Sequence, residues 1–333
     1  MATPLPSPNP GLLFDTLNAY QKTAALVTAI ELDIFTAVAE GSTTASALAE
    51  RCTASERGTR ILCDALTVMG FLAKDAGNYH LTPDSAAFLN RNSPAYLGSI
   101  TGFLAAPELM DLYRDMTGPV RKGGSLAGLG TIAPEHPVWM QFARDMAPMM
   151  RMPAAALADL AGDSTKKVLD IAASHGLFGI AAARKSPSAE IFAVDWAPVL
   201  EVAKENAASA GISARYHTIP GSAFEVDLGE GYDVVLVTNF LHHFNPATNE
   251  AFLKKVHAAL APGGRVLTLE FIPNEDRVSP PTQALFALIM LGSTPEGDAY
   301  TFSELNGMFT RAGFSRSELV ELPPAQRVVV SYR

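Results

Sequence analysis

The sequence is poor in cysteine, and it contains no apolar run long enough to cross a membrane. Its two cysteines, Cys52 and Cys63, are too few for a disulfide framework, so we expect both to be reduced thiols. The opening residues MATPLPSPNPG lack the basic and apolar regions of a secretory signal peptide. These absences predict a cytoplasmic protein.

Positive charge is also scarce. The 333 residues include 25 Lys and Arg against 34 Asp and Glu, which gives a formal net charge of −9. Nucleic acids and anionic membranes need a basic binding face, so we expect neither as a partner. Apolar side chains are plentiful at 48% of the residues, which predicts a globular protein long enough for two domains.

Residues 11–105 predict a mostly helical first domain. The stretch LLFDTLNAYQKTAALVTAIELDIFTAVAEG has apolar residues at helical spacing and predicts one long helix that ends at Gly41. We expect Thr43-Thr44 and Ser55 to cap two further helices, and residues 76–78 to form the turn of a hairpin. Helices followed by a hairpin are typical of a winged-helix domain.

Winged helices often bind DNA, but this one is acidic. Residues 1–100 contain six basic and nine acidic side chains, a net charge of 6 − 9 = −3. Phosphate contact favours the opposite sign. We therefore expect this domain to form a homodimer through its apolar first helix rather than to bind nucleic acid.

Residues 106–160 predict a helical connector that lines a substrate pocket. Five methionines crowd the segment between residues 140 and 152. Methionine is adaptable and suits a cavity for a flat apolar ligand, although core or interface packing is an equally good use for it. We predict Met146, Met149 and Met150 as lining residues.

Strand and helix patterns alternate in the remaining domain, residues 161–333. The predicted strands are KVLDIAA, EIFAVDW, ARYHTIPG, YDVVLVTNF and RVLTLEFI, and RSELVELPP with QRVVVSYR predicts a terminal hairpin. This order is typical of an α/β fold with a Rossmann-like doubly wound sheet and, here, an antiparallel C-terminal end. A ligand is expected beyond the carboxyl ends of the parallel strands.

The loop after the first of these strands has little glycine. A dinucleotide site needs backbone amides close to a pyrophosphate, hence G-x-G-x-x-G, whereas this loop runs Ala172-Ala173-Ser174-His175-Gly176. Asp170 before the loop would repel a pyrophosphate but favour the ammonium and sulfonium groups of S-adenosylmethionine (SAM). Asp195 ends the second strand, where an acid typically binds a ribose diol. The loop and the two acids favour SAM over NAD.

Taken as a set, the segments VLDIAASHG, AVDW, GSAF, TNFLHHF and LTLEFIP resemble the caffeic acid O-methyltransferase-like family of plant-type and bacterial small-molecule O-methyltransferases. The resemblance covers nearly the whole chain. It implies SAM as cofactor, an aromatic or polyketide-like hydroxylated acceptor, and an N-terminal winged helix that mediates dimerisation. VLDIAASHG is similar to the family loop D-x-G-G-G-x-G, and GSAF resembles G-D-M-F, which flanks the adenine.

The resemblance also implies roles for individual residues. His242 matches the family's catalytic histidine, Glu270 matches an acid that orients it, and Ala299 beside Asp298 stands where a second acid is expected. The implied cofactor-binding residues are Asp170, Ala172, Gly176, Asp195, Trp196, Ser222, Ala223, Phe224 and Asn239. The predicted substrate-lining residues are Met146, Met149, Met150, Phe286 and Met290.

Methyl transfer to a phenol needs a base, because a phenol with a pKa of about 10 is largely protonated at neutral pH. Histidine can take that proton, and a carboxylate on its other ring nitrogen fixes the tautomer. We predict His242 and Glu270 as this pair. We expect His243 to contact the scaffold or the pocket wall, and His175 to act as a cap or as a contact at the ligand's edge. We expect no metal site, because adjacent histidines on a strand point to opposite faces.

Two other interpretations stay open. The same scaffold can use SAM for N-methylation or for non-methylating chemistry, and a winged-helix protein can be a nucleotide-sensing regulator. The acidic first domain disfavours the regulator, and the His242–Glu270 pair favours O-methylation.

Overall fold

The computed structural model of the chain describes residues 8–133, 135–323 and 326–333. It divides into two units, one ending at Thr101 and the other running from Gly102 to Arg333. Among the described residues, no helix is both long and apolar enough to cross a bilayer.

The first unit consists of helices and one small hairpin, as the sequence predicts. Its elements are α1 (Gly11–Leu17), α2 (Ala19–Glu31), α3 (Ile34–Ala39), α4 (Ala45–Arg51), α5 (Glu56–Val68), β1 (Leu72–Asp75), β2 (Asn78–Leu81) and α6 (Pro83–Phe88). The side chains of Thr44 and Ser55 accept hydrogen bonds from backbone amides of α4 and α5 at 3.2 and 3.1 Å, so these two caps are confirmed. Strands β1 and β2 pair antiparallel, and Ala76 and Gly77 form the predicted turn with positive φ angles.

The single long helix predicted at the start of the chain is wrong, because α1, α2 and α3 are separate. Asp33 has φ 59°, in the left-handed region, which ends α2 and redirects the chain into α3. Its carboxylate is held by Arg91 at 3.0 Å. The redirection buries Ile34, Phe35 and Val38 in the core of this unit.

The second unit begins with helices and continues as the predicted α/β domain. Its helices are α7 (Thr101–Leu104, across the unit boundary), α8 (Pro107–Leu112), α9 (Thr117–Lys122), α10 (Val138–Asp145), α11 (Ala147–Ala161), α12 (Leu177–Lys185), α13 (Ala197–Ser209), α14 (Pro246–Ala259), α15 (Pro281–Ser293) and α16 (Phe302–Ala312). Its strands are β3 (Lys167–Ile171), β4 (Glu190–Asp195), β5 (Tyr216–Pro220), β6 (Tyr232–Thr238), β7 (Leu260–Glu270), β8 (Arg316–Leu322) and β9 (Gln326–Tyr332).

The seven strands of this unit form one sheet in the order β5-β4-β3-β6-β7-β9-β8. The first five are parallel, whereas β9 pairs antiparallel with both β7 and β8, so the predicted fold class is confirmed. Side chains that alternate along β3 enter different cores: Val168 packs with α11 and α12, and Leu169 packs with α14 and α16. The chain leaves β3 between β4 and β6, where the strand order reverses, so a crevice is expected at the carboxyl ends of these strands.

Candidate active site

A cavity of about 1020 Å³ opens at the carboxyl ends of β3, β4, β6 and β7. Its walls come from the loops that follow these strands and from α10, α11 and α15. Aromatic and methionine side chains dominate the wall, and the described lining residues include no Lys or Arg. A cavity of this size and character suits two organic molecules side by side, one of them flat and apolar.

The loop after β3 forms the base of the cavity without the usual glycines. Ala172 and Ser174 both line the cavity with φ angles near +50°, a left-handed conformation that ordinarily favours glycine. Gly176, at φ 74°, lies behind the wall at the start of α12 and does not line the cavity. The amide of Ser174 donates a hydrogen bond of 2.8 Å to Asp195, while its Oγ is buried without a partner among the described residues.

Asp170 does not reach the cavity, contrary to the expectation that it lies beside the ligand. Its side chain is fully buried, and Oδ2 accepts a hydrogen bond of 2.9 Å from the amide of Gly179 in α12. Burial raises the pKa of Asp170 to about 8. A fully buried carboxyl that does not line the cavity contacts neither a pyrophosphate nor a sulfonium there, so that argument from the sequence fails. The residue instead anchors the first turn of α12.

Asp195 does lie at the cavity wall, at the end of β4. Oδ2 accepts the amide of Ser174, and Oδ1 accepts the amide of Trp196 at 2.7 Å. Each oxygen has room for a second hydrogen bond, so the carboxylate can still receive two hydroxyl donors. Burial raises the pKa of Asp195 to about 6, against the opposing effect of the two amides.

The loop after β5 provides another part of the wall. Ser222, Ala223 and Phe224 line the cavity, as does Trp196 beside Asp195. Lys255 of α14 donates hydrogen bonds to the carbonyls of Ala223, Phe224 and Val226 at 3.1, 2.9 and 2.5 Å. Sequence reasoning missed Lys255, because a lysine in an amphipathic helix carries no signal that it contacts a loop 30 residues away.

His242 and Glu270 form the predicted pair at the ends of neighbouring strands. Nδ1 of His242 lies 2.5 Å from Oε2 of Glu270, and both side chains are buried. The other carboxylate oxygen accepts the amides of Phe240 and Leu241, each at 2.8 Å. A carboxylate held in this way accepts the Nδ1–H of the imidazole, which leaves the lone pair of Nε2 for a ligand in the cavity.

His243 lies at the pocket wall, one of the two positions expected for it, but not at a strand end. Residues 241–243 form a 3₁₀ turn after β6 rather than the end of the strand, so the opposite-face rule for strands does not apply. Both histidine rings line the cavity, and their centroids are 4.2 Å apart. His175 is buried and its Nδ1 accepts the amide of Leu177 at 3.1 Å, which agrees with its predicted role as a cap.

Asp298, near the position of the expected second acid, does not contact the imidazole of His242. Its carboxylate pairs with Arg277 at 3.3 Å, and its backbone amide donates to the carbonyl of His242 at 3.0 Å. Ala299 is buried beside it. Glu270 is thus the carboxylate partner of His242 in the described part of the chain.

The remaining predicted residues all line the same cavity: Asn239, Met146, Met149, Met150, Phe286 and Met290. Phe286 of α15 stacks on Phe271 with the ring centroids 3.8 Å apart, and it meets His242 edge-on at 4.8 Å. Trp139 and Phe142 of α10 also line this region and were not predicted, since a connector helix gives no periodic sign of which side faces a ligand.

These residues fit the chemistry of SAM. A carboxylate with unused acceptor capacity suits a ribose diol, and the apolar side chains of the cavity wall flank the space beside it. His242 of the buried His–Glu pair lines the same cavity beside Phe286, where an acceptor molecule would be held.

Comparison with known proteins agrees with this geometry. The description "O-methyltransferase domain" matches residues 128–315, more than half of the chain, and "O-methyltransferase dimerisation domain" matches residues 14–91. The chain is 29% identical to a 3-hydroxy-5-methyl-1-naphthoate 3-O-methyltransferase of Streptomyces sahachiroi, over 99% of this chain and 97% of the relative.

Solved structures show the same fold. A protein from Nostoc punctiforme, named as a candidate O-methyltransferase, superposes with a TM-score of 0.96 at 54% identity and covers 98% of this chain and 100% of its own. Human N-acetylserotonin methyltransferase in complex with SAM superposes with a TM-score of 0.84 at 21% identity, over 99% of both chains. The chain therefore belongs to the O-methyltransferase family and is a SAM-dependent O-methyltransferase with a dimerisation domain at its N-terminal end.

Proposed function

We propose that the enzyme methylates a phenolic hydroxyl of a flat, largely apolar metabolite and that His242 is the general base. The observation that carries the proposal is the buried contact of 2.5 Å between His242 and Glu270 at the aromatic side of the cavity. The Streptomyces relative acts on a hydroxynaphthoate, which supports an aromatic acceptor similar in size to that molecule.

The residues of the chain divide the chemistry between them. Bound SAM would supply the methyl group from its sulfonium, and breaking the sulfur–methyl bond would leave neutral S-adenosylhomocysteine. Nε2 of His242 takes the proton from the phenol as the oxygen attacks, and Glu270 stabilises the imidazolium that forms. Phe286, with Met146, Met149, Met150 and Met290, holds the acceptor ring so that its oxygen points at the reacting carbon.

The cofactor is held by the loops after β3, β4, β5 and β6. We assign the ribose diol to Asp195, and the adenine to the wall formed by Trp196, Ala223 and Phe224. Ala172, Ser222 and Asn239 complete the contact surface, since all three line the cavity. Asp170 and Gly176 act from behind this wall by holding α12 and its loop in place.

The test of this function uses His242→Ala. The methylation rate on a naphthol should fall by about 10²–10⁴-fold, the usual contribution of a positioned base, while the affinity for S-adenosylhomocysteine stays near that of the wild type. His217 pairs with Glu190 at 2.6 Å on the exposed surface, outside the cavity, so His217→Ala is the matched control and should keep full rate. Full activity of His242→Ala on a neutral phenol would refute the assignment.

Glu270→Gln tests the orienting role. The amide NH₂ would donate to Nδ1, so the imidazole would carry its proton on Nε2 and lose the lone pair that accepts the phenol proton. We expect a loss of about 10²–10⁴-fold, close to that of His242→Ala. Glu190→Gln in the exposed pair is the control. A Glu270→Gln enzyme within threefold of wild type would show that the carboxylate only packs the turn.

The dimerisation domain supports a homodimer, which we propose forms through α1. Four large apolar side chains of this seven-residue helix are more than half exposed: Leu12, Leu13, Phe14 and Leu17. An apolar surface of this kind on one short helix marks a contact with another chain.

A further inference from the structure

The proposed mechanism leaves His243 without a role, although its ring lines the cavity directly beside His242. On its other side Trp139 meets the ring edge-on at a centroid distance of 5.3 Å. Trp139 is itself fixed, because its Nε1 donates a hydrogen bond of 3.0 Å to the carbonyl of Thr131. The His243 ring therefore has a defined orientation within an otherwise aromatic wall.

Nδ1 of His243 is buried and has no hydrogen-bond partner in the described part of the chain. Nδ1 is sealed inside the protein, so a ligand in the cavity can reach the ring only through Nε2. Burial, together with the neighbouring His242, holds the pKa of His243 well below its usual range, so the ring is neutral. A neutral imidazole has one N–H donor and one lone pair, and the two nitrogens share them.

The sealed position of Nδ1 decides which nitrogen carries the proton. A proton on Nδ1 would be a buried N–H without a partner, and orphaned buried N–H groups are rarer in proteins than unsatisfied acceptors. The proton is therefore on Nε2, and His243 presents a hydrogen-bond donor to the cavity. His242 presents the opposite, a lone pair, from the adjacent ring.

We propose that His243 donates a hydrogen bond from Nε2 to a carbonyl or ether oxygen of the acceptor molecule, on the ring carbon next to the methylated hydroxyl. Adjacent imidazole rings bind adjacent oxygens, one that gives up a proton to His242 and one that receives a hydrogen bond from His243. The second oxygen is uncharged, because a carboxylate would find no Lys or Arg among the described lining residues. This inference rests on the proposed methylation of phenols and narrows its substrate class to hydroxyarenes with an uncharged hydrogen-bond acceptor ortho to the methylated hydroxyl.

Two acceptors on one ring system test the proposal: 3-methoxy-2-naphthol, with an ether oxygen beside the hydroxyl, and 2-naphthol, without one. We expect the wild type to favour the methoxy compound by about three- to tenfold in kcat/KM, the value of one neutral hydrogen bond. The ratio of kcat/KM for the methoxy compound to kcat/KM for 2-naphthol should fall to about one in His243→Phe. It should be retained in His243→Gln, whose amide N–H can take the place of Nε2–H. Because each ratio is measured within one variant, a general loss of rate cancels.

The controls separate this inference from the proposed function. Ile289→Val alters another lining residue and should leave the ratio unchanged. Equal use of both naphthols by the wild type, or an unaltered ratio in His243→Phe, would overturn the role of His243 while leaving phenol methylation intact. Loss of the ratio in His243→Gln as well would overturn hydrogen-bond donation as its cause, because the amide N–H should restore the preference that His243→Phe removes.

A measurement without turnover completes the test. The ¹⁵N chemical shifts of His243 in histidine-labelled enzyme report which nitrogen carries the proton. We expect an Nε2–H tautomer between about pH 6 and pH 8, since burial disfavours the charged ring. An Nδ1–H tautomer would refute the proposal, whether or not either naphthol is methylated. Failure to methylate both naphthols would instead count against the proposed function.

Discussion

Two aspartates at neighbouring strand ends show how one residue type takes two roles. Asp170 and Asp195 follow parallel strands and look equivalent in sequence, yet only Asp195 lines the cavity. Asp170 faces Gly179, where a Cβ would lie 2.8 Å from its Oδ2 and 2.6 Å from a methyl of Ile191. The close approach of α12 to β3 that glycine permits is what buries Asp170. The buried Asp170 holds the first turn of α12. Asp195, by contrast, keeps lone pairs free for further hydrogen bonds at the cavity wall.

Asp195→Asn should lower the affinity for S-adenosylhomocysteine by more than about tenfold at pH 7.5, because hydrogen bonds to a charged group contribute about 1.5–3 kcal/mol each. In the wild type the affinity should also fall as the pH drops through about 6, the raised pKa of Asp195, since protonation removes an acceptor site. Titration calorimetry from pH 5 to pH 8 measures both effects. In Asp195→Asn the fall in affinity at low pH should be absent.

The control for this prediction is Glu201→Gln on the exposed side of α13, where Glu201 pairs with Lys204. An unchanged affinity in Asp195→Asn would remove the residue from the cofactor site. If the affinity of Asp195→Asn still falls at low pH, a group other than Asp195 is responsible for the pH dependence.

At the scale of elements, the catalytic turn depends on a glycine outside it. A Cβ on Gly297 would lie 2.3 Å from the carbonyl oxygen of His242 and 2.6 Å from Thr294 Oγ1. The adjacent amide of Asp298 already holds that carbonyl. The segment after α15 thus fixes the position of the turn formed by residues 241–243 relative to the cavity.

Gly297→Ala should therefore lower kcat by at least about tenfold with little change in cofactor affinity, because small misplacements of a catalytic group are costly. The matched control is Gly292→Ala in α15, where a Cβ would meet nothing closer than 3.5 Å and alanine favours the helix. Steady-state kinetics and calorimetry compare the two variants. Equal kcat in both would mean that the turn accommodates the methyl group.

The loop after β5 is likewise held by a different element, α14, through Lys255. Lys255→Met keeps the aliphatic stem but removes three hydrogen bonds to the loop that flanks the proposed adenine site. We expect the KM for SAM to rise about tenfold while kcat at saturating SAM changes little, since the acceptor side is untouched.

Lys254→Met, one residue earlier and exposed, is the control and should behave as wild type. A kcat effect as large as the KM effect in Lys255→Met would indicate a general loss of structure instead of a loosened cofactor loop.

At the scale of the whole molecule, the apolar helix α1 predicts the assembly. Leu12 is 81% exposed and Leu17 is 62% exposed, and burying such side chains between two copies contributes about 1.5–3 kcal/mol each. Light scattering should give about twice 35.3 kDa for the wild type and 35.3 kDa for the double variant Leu13→Glu, Leu17→Glu at micromolar concentration. Val68→Glu, at an apolar position of α5 that is 89% exposed, controls for the added charge. A wild-type monomer would contradict the prediction.

Much of this fold follows from local patterns in the sequence. The alternation of strand and helix patterns predicted the doubly wound sheet, and the segments KVLDI and YDVVLVT were both predicted as strands of it. The pairing of His242 with Glu270 was also predicted, from the resemblance of TNFLHHF and LTLEFIP to the O-methyltransferase family, and neighbouring parallel strands do bring these two residues together. The fold depends on periodicity and strand order, which the sequence contains directly, whereas the pair depended on the family motifs.

Other properties were decided only when distant segments packed together. The break at Asp33 depends on its left-handed backbone, and the burial of Asp170 depends on the close approach of α12 to β3. The presence of both histidine rings in one cavity depends on a 3₁₀ turn that replaces the end of a strand. The sequence by itself determined which residues stand at the carboxyl ends of the strands; the tertiary structure decided which of them face the cavity, because burial, backbone conformation and close approach are set by contacts between residues far apart in the chain.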